Sequence, residues 1–329
     1  MQASKTEMPA AATGRWQFLN TFGPLLALLL VYAFFALLND RITSLSALET
    51  MVQQTVIVGV AAIGMTLVII SGGIDLSSGS LIAFSSVVIA QAMVAHGLSP
   101  GVAALAGIAA ATLCGWCNGF LITRLKLVPF IVTLGTLLIV RGLAKGIANS
   151  MQINAGQSWL SNLLAVLPPE RKWQLVPPGA WFMIVLALVA AALLRYTRLG
   201  RHIFAIGSNE RTAQLCGIAV ARVKVIVYAI AGACAGLSGL MLLSYQEQGD
   251  PTAAVGLELD IIAAVVIGGG SLSGGEGAIA GSLIGAIIMT IIRTGCQLNG
   301  WAPWITQAVT GCVIVIAVAV DRLRHRAAN

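Results

Sequence analysis

Apolar runs of bilayer length recur along almost the whole chain. A hydrocarbon core of about 30 Å calls for about 20 apolar residues in a helix, and such runs fall at approximately 17–38, 52–71, 80–96, 101–122, 129–148, 179–195, 223–245, 256–269, 277–298 and 302–321. The pattern predicts ten transmembrane helices and an all-α, polytopic membrane protein. The eighth run is the shortest: about fourteen helical residues reach only about 21 Å. It either begins earlier, near Ala253, or is a broken helix supported by its neighbours.

The polar segments between the runs set an orientation. Cytoplasmic loops carry the excess of Lys and Arg. With a cytoplasmic N-terminus, the inner segments hold Lys5, Arg15, Arg124, Lys126, Arg195, Arg198, Arg201, Arg211, Arg222, Lys224, Arg322, Arg324 and Arg326, thirteen of the nineteen basic residues. Arg41, Arg141, Lys145, Arg171, Lys172 and Arg293 remain, and the outer loop around Glu247, Asp250, Glu258 and Asp260 has no Lys or Arg. Both termini are therefore expected in the cytoplasm. The chain reads as one transmembrane domain, 1–329, with a polar tail at 1–16 and two long segments that do not span. Residues 150–178 hold the pairs Pro168-Pro169 and Pro177-Pro178 with Trp159 and Trp173. Proline pairs break helices and tryptophan favours the interface, so this segment is expected to form a cap on the outer leaflet. Residues 196–222 lie inside.

Composition excludes a water-soluble globule. Of 329 residues, 58% are hydrophobic and 9% charged, against about 25% charged in a soluble domain; the mean hydropathy is +0.91. Thirty-six glycines scattered among Leu, Ile, Val and Ala suit close helix packing in a membrane. The apolar run from Pro24 to Leu38 continues without a small-residue cleavage site, so no removable signal is expected. A net charge of +7 is read as loop asymmetry rather than nucleic-acid binding. Cys114 and Cys117 form a C-x-x-C inside an apolar run, where buried structural thiols are favoured over metal or redox use.

Catalytic constellations are missing from the sequence. His96, His202 and His325 all lie outside the middles of the runs, so neither zinc-protease chemistry nor a base for Ser271 in Gly269-Gly270-Ser271 is available. No Gly-Lys pair exists, and hence no P-loop. The chain is expected not to be an enzyme by itself, and to carry no catalytic residue, metal or cofactor.

The remaining chemistry sits in three places. In the inner segment, Ser208 or Asn209 can cap a short helix with Glu210 in its first turn and Gly217 at its end. Two turns cannot stand alone in water, so this helix either docks on a protein surface or belongs to a solvated loop. The turns Gly72-Gly73-Ile74-Asp75-Leu76-Ser77 and Gly268-Gly269-Gly270-Ser271-Leu272-Ser273-Gly274-Gly275 face the same inner side. There Asp75 is favoured as a helix cap over a proton or substrate group, and the glycines as packing points over a flexible gate. Arg141, Lys145 and Arg293 fall in outer halves of runs, where they either snorkel or pair with Glu258 and Asp260; Arg141, the deepest, is the candidate for pairing.

Five ordered stretches resemble ribose-type ABC sugar importer permeases. They are Gly64-Met65-Thr66-Leu67-Val68-Ile69 with Ser71 through Ser80; Phe130 through Thr136 with Arg141-Gly142; Leu199-Gly200-Arg201 through Gly207-x-Asn209 to Gly217-Ile218; Gly256-x-Glu258-Leu259-Asp260 through Gly269; and Ser271-Leu272-x-Gly274-Gly275-x-Gly277. The resemblance covers roughly 50–325; Ser208 departs from the usual pattern, and 150–178 matches poorly. It implies a permease subunit of the bacterial inner membrane that imports a simple sugar. Its expected partners are a second permease copy or homologue, a cytoplasmic ATPase holding the ATP and magnesium, and a periplasmic sugar-binding protein, with no nucleic acid. It places ATPase coupling at Gly200, Arg201, Gly207, Asn209, Glu210, Ala213 and Gly217. Rival readings are a branched-chain amino-acid permease of the same superfamily, against which the Gly-Gly-Ile-Asp-Leu-Ser stretch argues, and a self-sufficient secondary transporter.

Overall fold

In a computed structural model, the backbone of residues 10–166 and 174–328 is described, with side chains from Gly23 onward except 320–321 and 323–328. Lys5, Pro168, Pro169, Arg171, Lys172 and Trp173 lie outside the described residues, as do the side chains of Arg15, Arg324 and Arg326.

Among the described residues there are twelve α-helices: α1 (Ala10–Leu38), α2 (Leu45–Ile70), α3 (Ser78–Val94), α4 (Pro100–Arg124), α5 (Pro129–Ile147), α6 (Pro178–Tyr196), α7 (Arg198–Ser208), α8 (Glu210–Leu215), α9 (Val220–Gln246), α10 (Leu257–Ile267), α11 (Ile279–Leu298) and α12 (Pro303–Ala328). Each predicted apolar run holds one helix. Four helices open on proline, at Pro100, Pro129, Pro178 and Pro303, where the missing N–H has no intrahelical partner to lose. Among the described residues, six helices (α2, α4, α5, α6, α9 and α11) are long and apolar enough to cross a membrane. Shorter apolar stretches occupy Gly23–Leu38, Ser78–Val94 and Pro303–Ala319.

Helix α2 is the centre of the bundle: 94% of its apolar stretch is buried, against 22% for α5. It packs on α9 and α11, while α9 also holds α3 and α4. Small residues set the separations. A β-carbon on Gly115 of α4 would overlap the Tyr228 carbonyl and lie 2.9 Å from the Gly232 Cα. Gly64 of α2 faces Ala231 and Cys234 of α9 just as closely, and the Ser238 hydroxyl donates to the Ile57 carbonyl at 2.6 Å. Pairing Gly115 with Gly232 and Gly119 with Val225 makes α4 antiparallel to α9, which puts the end of α4 and the start of α9 at one end of the bundle. Helices α7 and α8 lie at that end, referred to below as the α8 end.

The opposite end carries the part of the 150–178 segment that is described. Ile153–Asn154 (β1) pairs antiparallel with Gln248–Gly249 (β2), and Gln53 donates its amide to the Leu164 carbonyl at 2.5 Å. Beyond β2 the chain turns into the bundle. Gly249 packs on Ser86, Val87 and Ala90 in α3, and Glu258 reaches Gly79 at the start of α3. Helix α10 therefore begins at Leu257, well below the surface, and its 11 residues rise only about 16 Å. The eighth run is a broken helix; residues 253–256 are turn, not helix.

Because α10 and α11 touch backbone to backbone at Gly285 and Ala264, Gly285→Val is expected to cost about 1–3 kcal/mol through overpacking. It should lower the thermal midpoint of the purified chain in detergent. Gly135→Ala on α5, where a β-carbon meets nothing within 4 Å, should leave the midpoint unchanged or raise it.

Candidate functional site

The segment read as a loop with one short helix contains two helices. The hydroxyl of Thr197 accepts from the Gly200 amide at 3.1 Å and caps α7. Gly200 is needed there because a β-carbon would overlap the Leu193 and Leu194 carbonyls at the end of α6, so the chain can bend sharply. Ile203 and Ile206 are buried; this three-residue repeat lays α7 flat against the bundle, with Arg201 on its exposed side. Gly200 and the basic residues around it obscured the repeat in the sequence.

Asn209, not Ser208, caps α8: its Oδ1 accepts from the Thr212 amide at 2.9 Å. The helix ends with paired bonds from Gly217 N to Gln214 O and from Ile218 N to Ala213 O, with Gly217 at φ +83°, a conformation that costs glycine little. Two of the expected docking residues differ in exposure. Ala213 is buried against the bundle. Glu210 forms an ion pair with Lys224 of α9 at 2.7 Å, which ties α8 to its own subunit. The exposed apolar group is Leu215, 84% exposed at the end of α8.

Behind α7 the two glycine turns meet. Gly275 N donates to the Ile70 carbonyl at 2.9 Å. A β-carbon on Gly274 would lie 2.8 Å from the Gly207 carbonyl oxygen and 3.0 Å from the Gly72 Cα, and one on Gly207 would overlap the Ile70 carbonyl. Gly72, Gly207, Gly274 and Gly275 thus form one contact among α2, α7 and the α10–α11 turn. That turn is closed by a bond from the Ser271 amide to the Glu276 carbonyl at 3.2 Å, and Gly269 and Gly270 lie on its α10 side. Gly73 packs against the Tyr228 ring and hydroxyl.

Asp75 is fully enclosed and does not cap α3 directly. Its Oδ1 accepts from both the amide (2.8 Å) and the hydroxyl (2.6 Å) of Ser77, because a two-residue offset closes an Asx turn whereas a cap must reach further. The Ser77 Oγ accepts from Asn118 of α4 at 3.0 Å, and Asn118 accepts from Thr136 of α5 at 2.6 Å. At the opposite end, the Asp250 carboxyl lies below its ordinary value: burial acts against this, but the Thr252 hydroxyl and amide and the Gln152 amide favour the charged form.

The expected pairing of Arg141 is corrected. Arg141 donates to the carbonyls of Pro251 (3.0 Å) and Ala253 (2.6 Å) and has no ion pair among the described residues. Unpaired carbonyls of the inturned 250–256 segment need a donor where no helix supplies one. Asp260 pairs instead with Arg293 of α11 at 2.6 Å, the carboxylate buried and the guanidinium half-exposed. Glu258 accepts from the Gly256 amide at 3.2 Å and packs beside Gly79.

The family described as "Branched-chain amino acid transport system / permease component" matches residues 47–318. The chain belongs to this permease family. Ribose import permease protein RbsC of Escherichia coli (strain K12) is 38% identical over 301 residues, covering 92% of this chain and 93% of that protein. The protein of the same name from Bacillus subtilis (strain 168) is 38% identical over 323 residues, covering 97% and 98%. Fructose import permease protein FrcC of Rhizobium meliloti is 34% identical over 304 residues, covering 91% and 84%. No solved structure matches significantly.

A permease of this family with these apolar helices is a multi-pass protein of the bacterial inner membrane. Its matched span takes in the α7–α8 segment, both glycine turns and the Asp260–Arg293 pair. The sequence reading missed Leu215 and Asn118; it named Arg293 among three possible partners of Glu258 and Asp260 but singled out Arg141. A lone Leu beside Cys216 carries no periodic signal, and the partners of Asn118 lie 18 and 41 positions away. Arg293→Met would leave the buried Asp260 carboxylate without its partner, at a cost below the ~3–5 kcal/mol of a fully buried pair because the guanidinium is half-exposed, so it should lower thermal stability. Arg293→Met combined with Asp260→Leu should recover most of the loss, read as the melting midpoint of the purified permease.

Proposed function

We propose that this permease is the membrane-spanning subunit of an ABC importer that moves a pentose- or hexose-like sugar into the cytoplasm. The observation that carries the reading is 34–38% identity over nine-tenths of the chain to permeases named for ribose and fructose import. In this reading the chain crosses the bilayer ten times with both termini in the cytoplasm. It works as a pair with a second permease, receives sugar from a periplasmic binding protein, and is driven by a cytoplasmic ATPase that carries the ATP and magnesium.

The α8 end is the coupling surface in this scheme. Helix α8 presents Leu215 outward, and its cap at Asn209 and its tie through Glu210 hold it rigidly against α9. A force on α8 reaches Gly207 in the adjoining last turn of α7, and from there Gly72 and the Gly274-Gly275 turn. These are the points where α2 and the α10–α11 turn meet, so a small tilt of α7 is felt by the centre of the bundle. Gly200 lets α7 depart from α6, and Arg201 faces the same exposed side. Ala213 serves by packing inward and Gly217 by ending the helix.

Burying a leucine side chain is worth about 1.5–3 kcal/mol, so Leu215→Glu should reduce sugar-stimulated ATP hydrolysis about tenfold or more in complexes reconstituted with the ATPase and binding protein. The affinity of the binding protein for sugar should be unchanged. A cysteine replacing Leu215 should react with a maleimide from the cytoplasmic side and be protected once the ATPase is bound. One replacing Ala213 should be unreactive in both states. Wild-type ATPase stimulation in Leu215→Glu would remove α8 from the coupling path.

The same complexes should accumulate ribose or fructose and not leucine; leucine accumulation would favour the amino-acid reading. The purified chain alone in proteoliposomes should accumulate neither sugar nor leucine under a proton gradient, and gradient-driven accumulation would make it a secondary transporter.

A further inference from the structure

Between α4 and α9, on the outside of the bundle, runs a groove of about 850 Å³. Its α4 wall is a ladder spaced four residues apart: Trp116 stacks on Phe120 with ring centres 5.4 Å apart, and the Arg124 guanidinium lies 5.8 Å from the Phe120 ring. The α9 wall is low because Ala221, Ala229 and Ala233 stand where larger side chains would close it. From Thr112 to Arg124 the groove follows α4 for about 18 Å, rather more than one leaflet's share of a core about 30 Å thick.

Charge is confined to one end. Arg124, Lys126 and Arg222 line the mouth, no carboxylate lines the groove, and none of the three forms an ion pair among the described residues. That mouth is at the α8 end. An adjoining depression, bordered by Lys126, Lys224, Glu210 and Gln214, connects it with the base of α8. Here three cations converge on the end of a slot with one aromatic wall.

We propose that this groove binds one anionic phospholipid, its acyl chain along Trp116 and Phe120 and its phosphate against Arg124, Lys126 and Arg222. The fit is complementary in both parts. An apolar slot of leaflet depth suits a chain, and a cluster of cations at the membrane surface attracts an anionic headgroup, each adding to the attraction. Arg124 is held toward the slot by the Phe120 face, so its charge is placed before the lipid arrives. Orientation enters only in naming the leaflet: with the α8 end cytoplasmic, the lipid comes from the inner leaflet and its headgroup borders the coupling helix.

The test uses the full-length purified chain in mild detergent without ATPase or sugar, so its outcome is independent of the transport reading. Native mass spectrometry is used to titrate phosphatidylglycerol and phosphatidylcholine separately. The wild-type chain should prefer phosphatidylglycerol by about tenfold or more. The combined variant Arg124→Gln, Lys126→Gln, Arg222→Gln should lose that preference, whereas Lys145→Gln, on exposed α5 surface at the opposite end, should keep it. Ala229→Phe, which fills the slot without touching the charges, should weaken both lipids. Brominated phosphatidylglycerol should quench wild-type tryptophan fluorescence more than that of Trp116→Phe. Equal affinity for the two lipids, an unchanged preference in the triple variant, or displacement of lipid by inorganic phosphate at matched concentration would overturn the proposal. So would efficient disulfide cross-linking of two chains through Trp116→Cys in native membranes, which would give the groove to a second copy.

Discussion

Water is absent from the hydrocarbon core, and every backbone amide and carbonyl at that depth must find its partner within the protein. Helices meet this demand along most of the chain. Among the described residues, two of the non-helical stretches packed into the bundle rely on a side chain for this task. At 250–256 it is Arg141, which reaches from α5 to the Pro251 and Ala253 carbonyls. At 71–77 it is Asp75, which holds the Ser77 amide and hydroxyl while Asn118 and Thr136 complete the chain of bonds. Both polar devices therefore follow from one requirement, and both connect helices that are distant in sequence.

Close helix approach is the second consequence of a lipid surrounding. Lipid gives no hydrophobic drive for helices to associate, so van der Waals contact must do it, and small residues let backbones meet. Gly115 against Gly232, Gly268 against Gly281 and Gly285 against Ala264 are contacts of this kind. They bring α4 against α9 and α10 against α11 backbone to backbone. In the proposed coupling scheme, these contacts and the one at Gly207 would let a push at α8 move helices rather than be absorbed.

The periphery has a different character. Helices α4, α5 and α6 bury a third or less of their apolar stretches, and the α4–α9 groove belongs to this outer layer. Its aromatic wall and basic mouth are a feature of two helices side by side, with three cations from the end of α4, the following turn and the start of α9 converging only after α4 and α9 pair antiparallel. The ion pair of Asp260 with Arg293 is likewise a product of packing, since it joins α10 to α11 across 33 positions of sequence.

Local sequence by itself determined the all-helical membrane class, the position of every apolar helix, the cap at Asn209 as one of two candidates and the stop at Gly217. Each depends on hydropathy over about 20 residues or on backbone preferences within one turn. Family membership was also legible, because five glycine- and polar-rich motifs occur in fixed order. Tertiary structure decided the rest. It turned 198–208 into a helix by giving Ile203 and Ile206 a surface to cover, started α10 at Leu257 by supplying Arg141 for the broken backbone, and exchanged Arg141 for Arg293 as the partner of Asp260. It also buried Ala213 and left Leu215 exposed, although the two lie in the same turn of α8. These outcomes depend on which faces meet across dozens or hundreds of residues, and no local pattern encodes that geometry.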